Sequence, residues 1–234
     1  MNKILIVATL FFGIAALAFN IFPTKAAADA PPAPKLPNTP ELPRKFGYKT
    51  AWLAIKTNDP QQVLAKLPTQ SITPTGWQTG IVEAEKYHSN TLFVTPPING
   101  WVLVTGGHLL GIDPLQPDFA KLTQPLLDTF GSVQYFGNYR VIGYIAWCKA
   151  ENGKWQRQFT LADGNIFLNE GAYTEAERAA GIPDFSIPID DDEAYYANED
   201  YPPQLAEQWS VNPQLLEDLN LPAGTGWLIQ LKPD

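Results

Sequence analysis

The chain has one cysteine, Cys148, and two histidines, His88 and His108, in 234 residues. A single cysteine excludes an intrachain disulfide, so the fold must stand on its apolar core, for which this length is ample. Two histidines exclude a His-rich zinc site, and no ligand spacing supports a mixed His/carboxylate one. The G-x-S-x-G elbow, the H-E-x-x-H helix, the phosphate-binding glycine loop and the EF-hand pattern are all missing. No metal and no cofactor is expected. Positive charge is also scarce: 16 Lys and Arg face 24 Asp and Glu, a formal charge of −8. Nucleic acid and anionic lipid surfaces are poor partners for such a chain, and a basic protein suits it electrostatically.

Aromatic residues, by contrast, are plentiful, with seven Trp, nine Tyr and twelve Phe. One long apolar run exists, from Ile4 to Phe22, behind Lys3 and ended by Pro23. With the small residues Ala26-Ala27-Ala28 or Ala28-Asp29-Ala30 after it, this segment has the layout of an export signal, and cleavage after Ala28 is the first expectation. The alternative is an uncleaved anchor, since a run of this length can just span a bilayer; only then would the protein have a membrane partner. Cleavage removes Lys3 and Lys25 and no acid, leaving fourteen basic residues against twenty-four acidic ones and a charge of −10. The expected compartment is the periplasm or the exterior. Residues 29–47 carry Pro31, Pro32, Pro34, Pro37, Pro40 and Pro43 without apolar periodicity, and read as an extended, disordered spacer. The single folded domain is expected over 48–234.

Within that domain, Ala51–Ile55 reads as a strand, followed by a short helix with Asp59 as N-cap and Pro60 at its first position. Pro68 and the Ser/Thr/Pro stretch to Pro74 end that helix. Trp77–Tyr87 and Thr91–Thr95 read as strands. Asn99-Gly100 marks a hairpin into Trp101–Val104, lengthened by Pro96-Pro97. Phe119, Leu122, Leu126 and Phe130 recur at helical spacing, with Pro125 expected to bend that helix or split off its last turn. Val133–Phe136, Arg140–Lys149, Lys154–Leu161 and Asn165–Asn169 form a meander turning at Gly137-Asn138, Asn152-Gly153 and Asp163-Gly164. In its third strand Trp155, Arg157, Phe159 and Leu161 alternate with polar residues, so one face should be wet. Thr174 to Glu177 is a capping box. Helices over Pro203–Trp209 and Pro213–Leu219 and a strand over Trp227–Leu231 complete an α+β fold: an antiparallel sheet with a β-meander, flanked by short helices.

Four segments carry a resemblance: Ala51 to Pro60, Phe93 to Val102, Phe130 to Gly137 and Trp209 to Pro213. The chain after Tyr48 resembles a family of bacterial proteins of unassigned activity. The matching residues are aromatics, turn glycines and prolines, so the resemblance implies a shared fold and transfers no catalytic residue. Small exported proteins of this kind are comparable to immunity proteins that neutralise antibacterial toxins, which is an analogy of context.

The chemistry-bearing residues are few. Cys148 sits in an apolar run and is expected to be a buried, inert thiol rather than the nucleophile of a dyad with His88 or His108. Glu83 and Glu85 fall on one face of an expected strand, a spacing open to carboxylate-pair chemistry but more ordinary for an exposed face. The most distinctive segment is Asp190, Asp191, Asp192 and Glu193, continued by Tyr195, Tyr196, Glu199 and Asp200. It lacks the spacing and central glycine of a calcium loop. Tyrosines among carboxylates supply rigid area and hydrogen bonds, the composition of a contact surface for a cationic protein. The sequence therefore favours binding over catalysis: an exported envelope protein, in the manner of an immunity protein or inhibitor facing a basic toxin. The alternatives are an envelope hydrolase of peptidoglycan or glycan, and an accessory component of an envelope complex.

Overall fold

The computed structural model describes residues 38–86, 89–187, 189 and 198–233. The expected export segment, residues 29–37 of the expected spacer and residues 190–197 lie outside them. Among the described residues no helix is long and apolar enough to cross a membrane.

Nine antiparallel strands form one sheet: β1 (Thr50–Lys56), β2 (Thr69–Thr75), β3 (Thr91–Val94), β4 (Trp101–Thr105), β5 (Val133–Tyr139), β6 (Tyr144–Glu151), β7 (Lys154–Ala162), β8 (Asn165–Glu170) and β9 (Gly226–Leu231). The spatial order is β2-β9-β3-β4-β1-β5-β6-β7-β8, so the expected meander makes up one half and β1 lies at the centre. The helices are α1 (Pro60–Leu64), α2 (Trp77–Ala84), α3 (Pro117–Phe130), α4 (Glu175–Ala179) and α5 (Tyr201–Trp209). This is the α+β architecture read from the sequence.

Both faces of the sheet are covered, and the strand period of two sorts the side chains between them. Leu53, Ile55, Val104, Tyr135 and Cys148 share one core with Val63 of α1 and Phe119, Leu122 and Leu126 of α3. Trp52, Leu103, Phe136, Trp147 and Phe159 share the other with Trp77 and Ile81 of α2 and Leu205 of α5. A sheet buried on both sides needs strands apolar on both sides, which is why β1, β4 and β6 read as continuous apolar runs.

Local signals explain most ends. Asp59 Oδ1 accepts the Gln61 amide at 2.9 Å and caps α1. Asn99 and Gly100 both take positive φ, and Ile98 and Trp101 exchange backbone hydrogen bonds around them. The turn is thus a tight two-residue one despite the prolines before it. Asn152-Gly153 and Asp163-Gly164 take the same conformation.

Several expectations are corrected. Trp77–Ala84 is a helix, not a strand: Trp77, Gly80, Ile81 and Ala84 are its buried residues, and that spacing is helical. A Cβ at Gly80 would stand 2.2 Å from the Phe93 ring, so this glycine lets α2 lie directly on β3. The Ser/Thr/Pro stretch is β2, an exposed edge strand, the place in a sheet where Pro74 is tolerated. Helix α3 runs through Pro125 without a break. Gly137-Asn138 is not a turn; β5 continues to Tyr139 and the chain reverses over Arg140–Gly143, with Gly143 left-handed. A bulge opposite Lys149 and Ala150 puts Trp155 and Arg157 on opposite faces. Trp155 accordingly stacks on Phe119 of α3 at 5.5 Å while Phe159 stacks on Trp147 at 4.3 Å. The third meander strand has no wet face over Phe159–Leu161, all of which are buried. Pro213–Leu215 is one 3-10 turn capped by Asn212, not a longer helix.

The packed chain also begins before Tyr48. Glu41 exchanges backbone hydrogen bonds with Gly224, its carboxylate accepts the Gln78 amide at 2.6 Å, and Phe46 is buried edge-on against Trp52. The last prolines of the expected spacer belong to the domain.

Candidate functional site

The acidic, tyrosine-bearing segment enters and leaves on the sheet face covered by α4 and α5. Asp190, Asp191, Asp192, Glu193, Tyr195 and Tyr196 lie outside the described residues; Glu199 and Asp200 lie within them. On the entering side, Phe185 stacks on Phe159 at 5.0 Å, and its carbonyl accepts Asn169 Nδ2 at 3.1 Å. Asp184 accepts the Ser186 amide and hydroxyl, hydrogen bonds that lower its pKa. On the leaving side, Asn138 Nδ2 donates to the Glu199 carbonyl at 2.6 Å, and Arg140 stands 4.0 Å from the Glu199 carboxylate. Tyr48 is hydrogen-bonded to Asp200, and its pKa is raised by desolvation first and then by the carboxylates of Asp200 and Glu199. Asn138 shares its strand face with Phe136, and Asn169 is the register partner of Phe159. Both ends are therefore tied to one surface.

Beneath the entering end lies a buried polar cluster that sequence reading missed. Glu177 closes the capping box as the third residue of α4, and its Oε2 accepts the Thr174 amide and hydroxyl, each at 2.7 Å. Its other oxygen accepts Arg157 Nε and Trp147 Nε1, each at 2.9 Å. Arg157 spends Nη1 on Asn169 Oδ1 at 2.7 Å and on the carbonyls of Glu170 and Gln158. Side-chain exposure is 3% for Arg157 and 0% for Glu177, so the pair is desolvated and held by its hydrogen bonds. The visible signal was an arginine at a position where the β7 alternation calls for an apolar residue.

An open groove lies between the C-terminal end of α2 and the 3-10 turn that follows β4. His108 lies on a one-turn 3-10 helix, Gly107–Leu110, directly after β4. It lines a cavity of about 560 Å³ with Lys49, Glu85, Lys86, Tyr139 and Ile142 among its walls. A second cavity of about 420 Å³ shares Asn90, His108 and Gly111 with it and continues along Ile112, Leu122 and Leu231. Lys49 Nζ sits 4.3 Å from the centre of the Tyr139 ring. Glu85 is half-buried, and burial raises its pKa against the opposing effect of the Gly47 amide hydrogen bond.

The catalytic candidates do not assemble. Cys148 is fully buried in the α3-side core, where burial raises its thiol pKa, and it lines neither cavity around His108. His88 lies outside the described residues. Glu83 and Glu85 belong to α2 and its C-cap rather than to a strand, and Glu83 is paired with Lys86. Among the described residues no group of three His, Cys, Asp or Glu is placed to hold a metal ion. Comparison with family models, with curated proteins and with solved structures finds no match to the chain.

Proposed function

We propose that this protein is an exported binding protein of the bacterial cell envelope, an immunity protein or inhibitor that engages a basic toxin through its acidic, tyrosine-bearing segment. The observation that supports it is the anchoring of that segment, with Phe185 held by Asn169 and Phe159 and Glu199 held by Asn138, all on one sheet face. A segment whose two flanks are held presents its side chains at a lower ordering cost than a free tail, which favours affinity. Its carboxylates suit rapid, salt-sensitive encounter with a cationic partner. The hydrolase alternative finds no nucleophile–base pair among the described residues.

The test is to mix the purified protein with the basic envelope-acting toxins encoded beside its gene, and to express it in cells exposed to them. A stoichiometric complex with protection of the cells is the expected result. No complex and no protection would contradict the proposal.

A further inference from the structure

The sequence holds two Asn-Gly pairs, Asn99-Gly100 and Asn152-Gly153, and each forms a tight turn. In such a pair the glycine amide can attack the asparagine side chain before it, because no side chain on the glycine stands in the way. The two turns share a backbone: Asn φ is 49° and 53°, both glycines take positive φ, and both asparagines are exposed. Conformation and access therefore do not separate them. The surroundings of the two glycine amides do.

Gly153 donates its N–H to the Gly131 carbonyl at 2.9 Å, just past the end of α3. The Leu127 carbonyl oxygen would lie 3.4 Å from a Cβ placed on Gly153. Two carbonyl dipoles thus hold the proton on that nitrogen. The turn also closes a continuous ladder, since Glu151 pairs with Lys154 in register. Gly100 has no such acceptor among the described residues. Its neighbour is a cation: Lys56 Nζ would lie 3.5 Å from a Cβ on Gly100 and sits 4.6 Å from the centre of the Trp101 ring. A cation there favours loss of the amide proton and stabilises the negative charge that develops on the attacked group. This turn is held by the single bridge between Ile98 and Trp101, set apart by residues 95–97 from the pairing of Phe93 and Val94 with β4.

We propose that Asn99 is a self-modification site of the folded protein, deamidated by the Gly100 amide with Lys56 as the promoting cation, whereas the fold protects Asn152. The Gly100 nitrogen gives its proton to hydroxide and bonds to Asn99 Cγ. The bond from Cγ to the side-chain nitrogen breaks, and ammonia leaves. Water then opens the cyclic imide at either carbonyl, leaving aspartate or isoaspartate at position 99. One water enters in all, one ammonia departs, and no oxidant or reductant is needed. The formal charge becomes one unit more negative than −8, with the new carboxylate beside Lys56. The site lies on the β3–β4 hairpin and does not depend on toxin binding.

The experiment incubates the purified protein at mildly alkaline pH, folded and in urea, and follows both asparagines by peptide mapping with mass spectrometry. In the folded protein Asn99 should convert about tenfold or more faster than Asn152, the effect of one fewer hydrogen bond on the nucleophile and one nearby cation. Urea should bring the two rates together. Lys56 is exposed, so Lys56→Gln leaves the fold intact. That variant should slow Asn99 in the folded protein about fivefold, equivalent to about 1 kcal/mol of barrier, and leave Asn152 unchanged. Equal rates at the two sites in the folded protein, or faster conversion of Asn152, would overturn the proposal. So would a folded Asn99 that stays intact while the unfolded chain converts, or a full Asn99 rate in Lys56→Gln.

Discussion

Arg157 and Glu177 form a buried ion pair, 2.9 Å from Nε to Oε1, in which the carboxylate that caps helix α4 also neutralises the one arginine inside the α5-side core. The two roles are separated by oxygen: Oε2 serves the helix start and Oε1 serves the sheet. Removing either partner leaves a desolvated charge. Glu177→Ala and Arg157→Ala should each cost about 3–5 kcal/mol in urea unfolding, far above the roughly 1 kcal/mol of an ordinary cap loss. A double variant less damaging than the sum of the two singles is the expected sign of coupling. A Glu177→Ala loss near 1 kcal/mol would show that the pair contributes little.

The thiol of Cys148 offers a second check. Burial raises its pKa, and that of Tyr144 in the same core, so the fold keeps both protonated where the unfolded chain releases its protons. With the folded pKa above the unfolded one, stability is intact below about pH 8.5 and declines as pH rises, by up to about 1.4 kcal/mol per unit per group. Urea midpoints should therefore fall between pH 8 and 10, less steeply in Cys148→Ala. The native thiol should stay inert to a thiol reagent until the protein unfolds. Rapid labelling under native conditions would contradict its burial.

Much of this architecture was legible because tight turns and strand alternation are local. The three Asn-Gly and Asp-Gly turns and the capping box act within four residues, and each stands where it was read. Helix α2 was not legible: one of its four core-facing positions is Gly80, which counts as apolar contact only once Phe93 is seen against it. The turn after β5 was missed because Gly137 is a packing glycine; a Cβ there would meet the Tyr144 ring at 2.8 Å. The Arg157–Glu177 pair spans twenty residues and two elements, and no local pattern announces it. Glu199 and Asp200 were read as part of the partner-binding acidic segment, and no local pattern announces that Asn138 of β5 holds the Glu199 carbonyl.

Two glycines separate steric need from backbone preference. Gly171 and Gly181 have φ of 82° and 69°, but a Cβ at Gly171 would lie 1.9 Å from the Gln156 carbonyl oxygen, while nothing lies within 4 Å at Gly181. Gly181→Ala should cost about 1 kcal/mol, the left-handed penalty alone. Gly171→Ala should cost about 3 kcal/mol or more, because the backbone of β7 must move. Equal thermal shifts in the two variants would refute the close approach.

Glu85 predicts a pH-dependent gain. Its folded pKa is raised by burial, so its ionisation costs stability above the unfolded value near 4.5 and nothing below it. Glu85→Gln keeps an acceptor for the Gly47 amide and should melt higher than the wild type at pH 7, with the difference vanishing near pH 4. A lower melting temperature at pH 7 would mean that the charge is used by the fold.

The proposed binding role rests on the carboxylates of the anchored segment, and their neutralisation tests it most directly. The variant carrying Asp190→Asn, Asp191→Asn, Asp192→Asn and Glu193→Gln leaves the anchors Asn138, Asn169 and Phe185 untouched. Its affinity for the toxin identified by complex formation should be measured by calorimetry at low and high salt beside the wild type. Weakening of about a hundredfold or more at low salt, with the loss of most salt dependence, is the predicted result. Unchanged affinity and unchanged salt dependence would place the contact elsewhere on the protein and contradict the account.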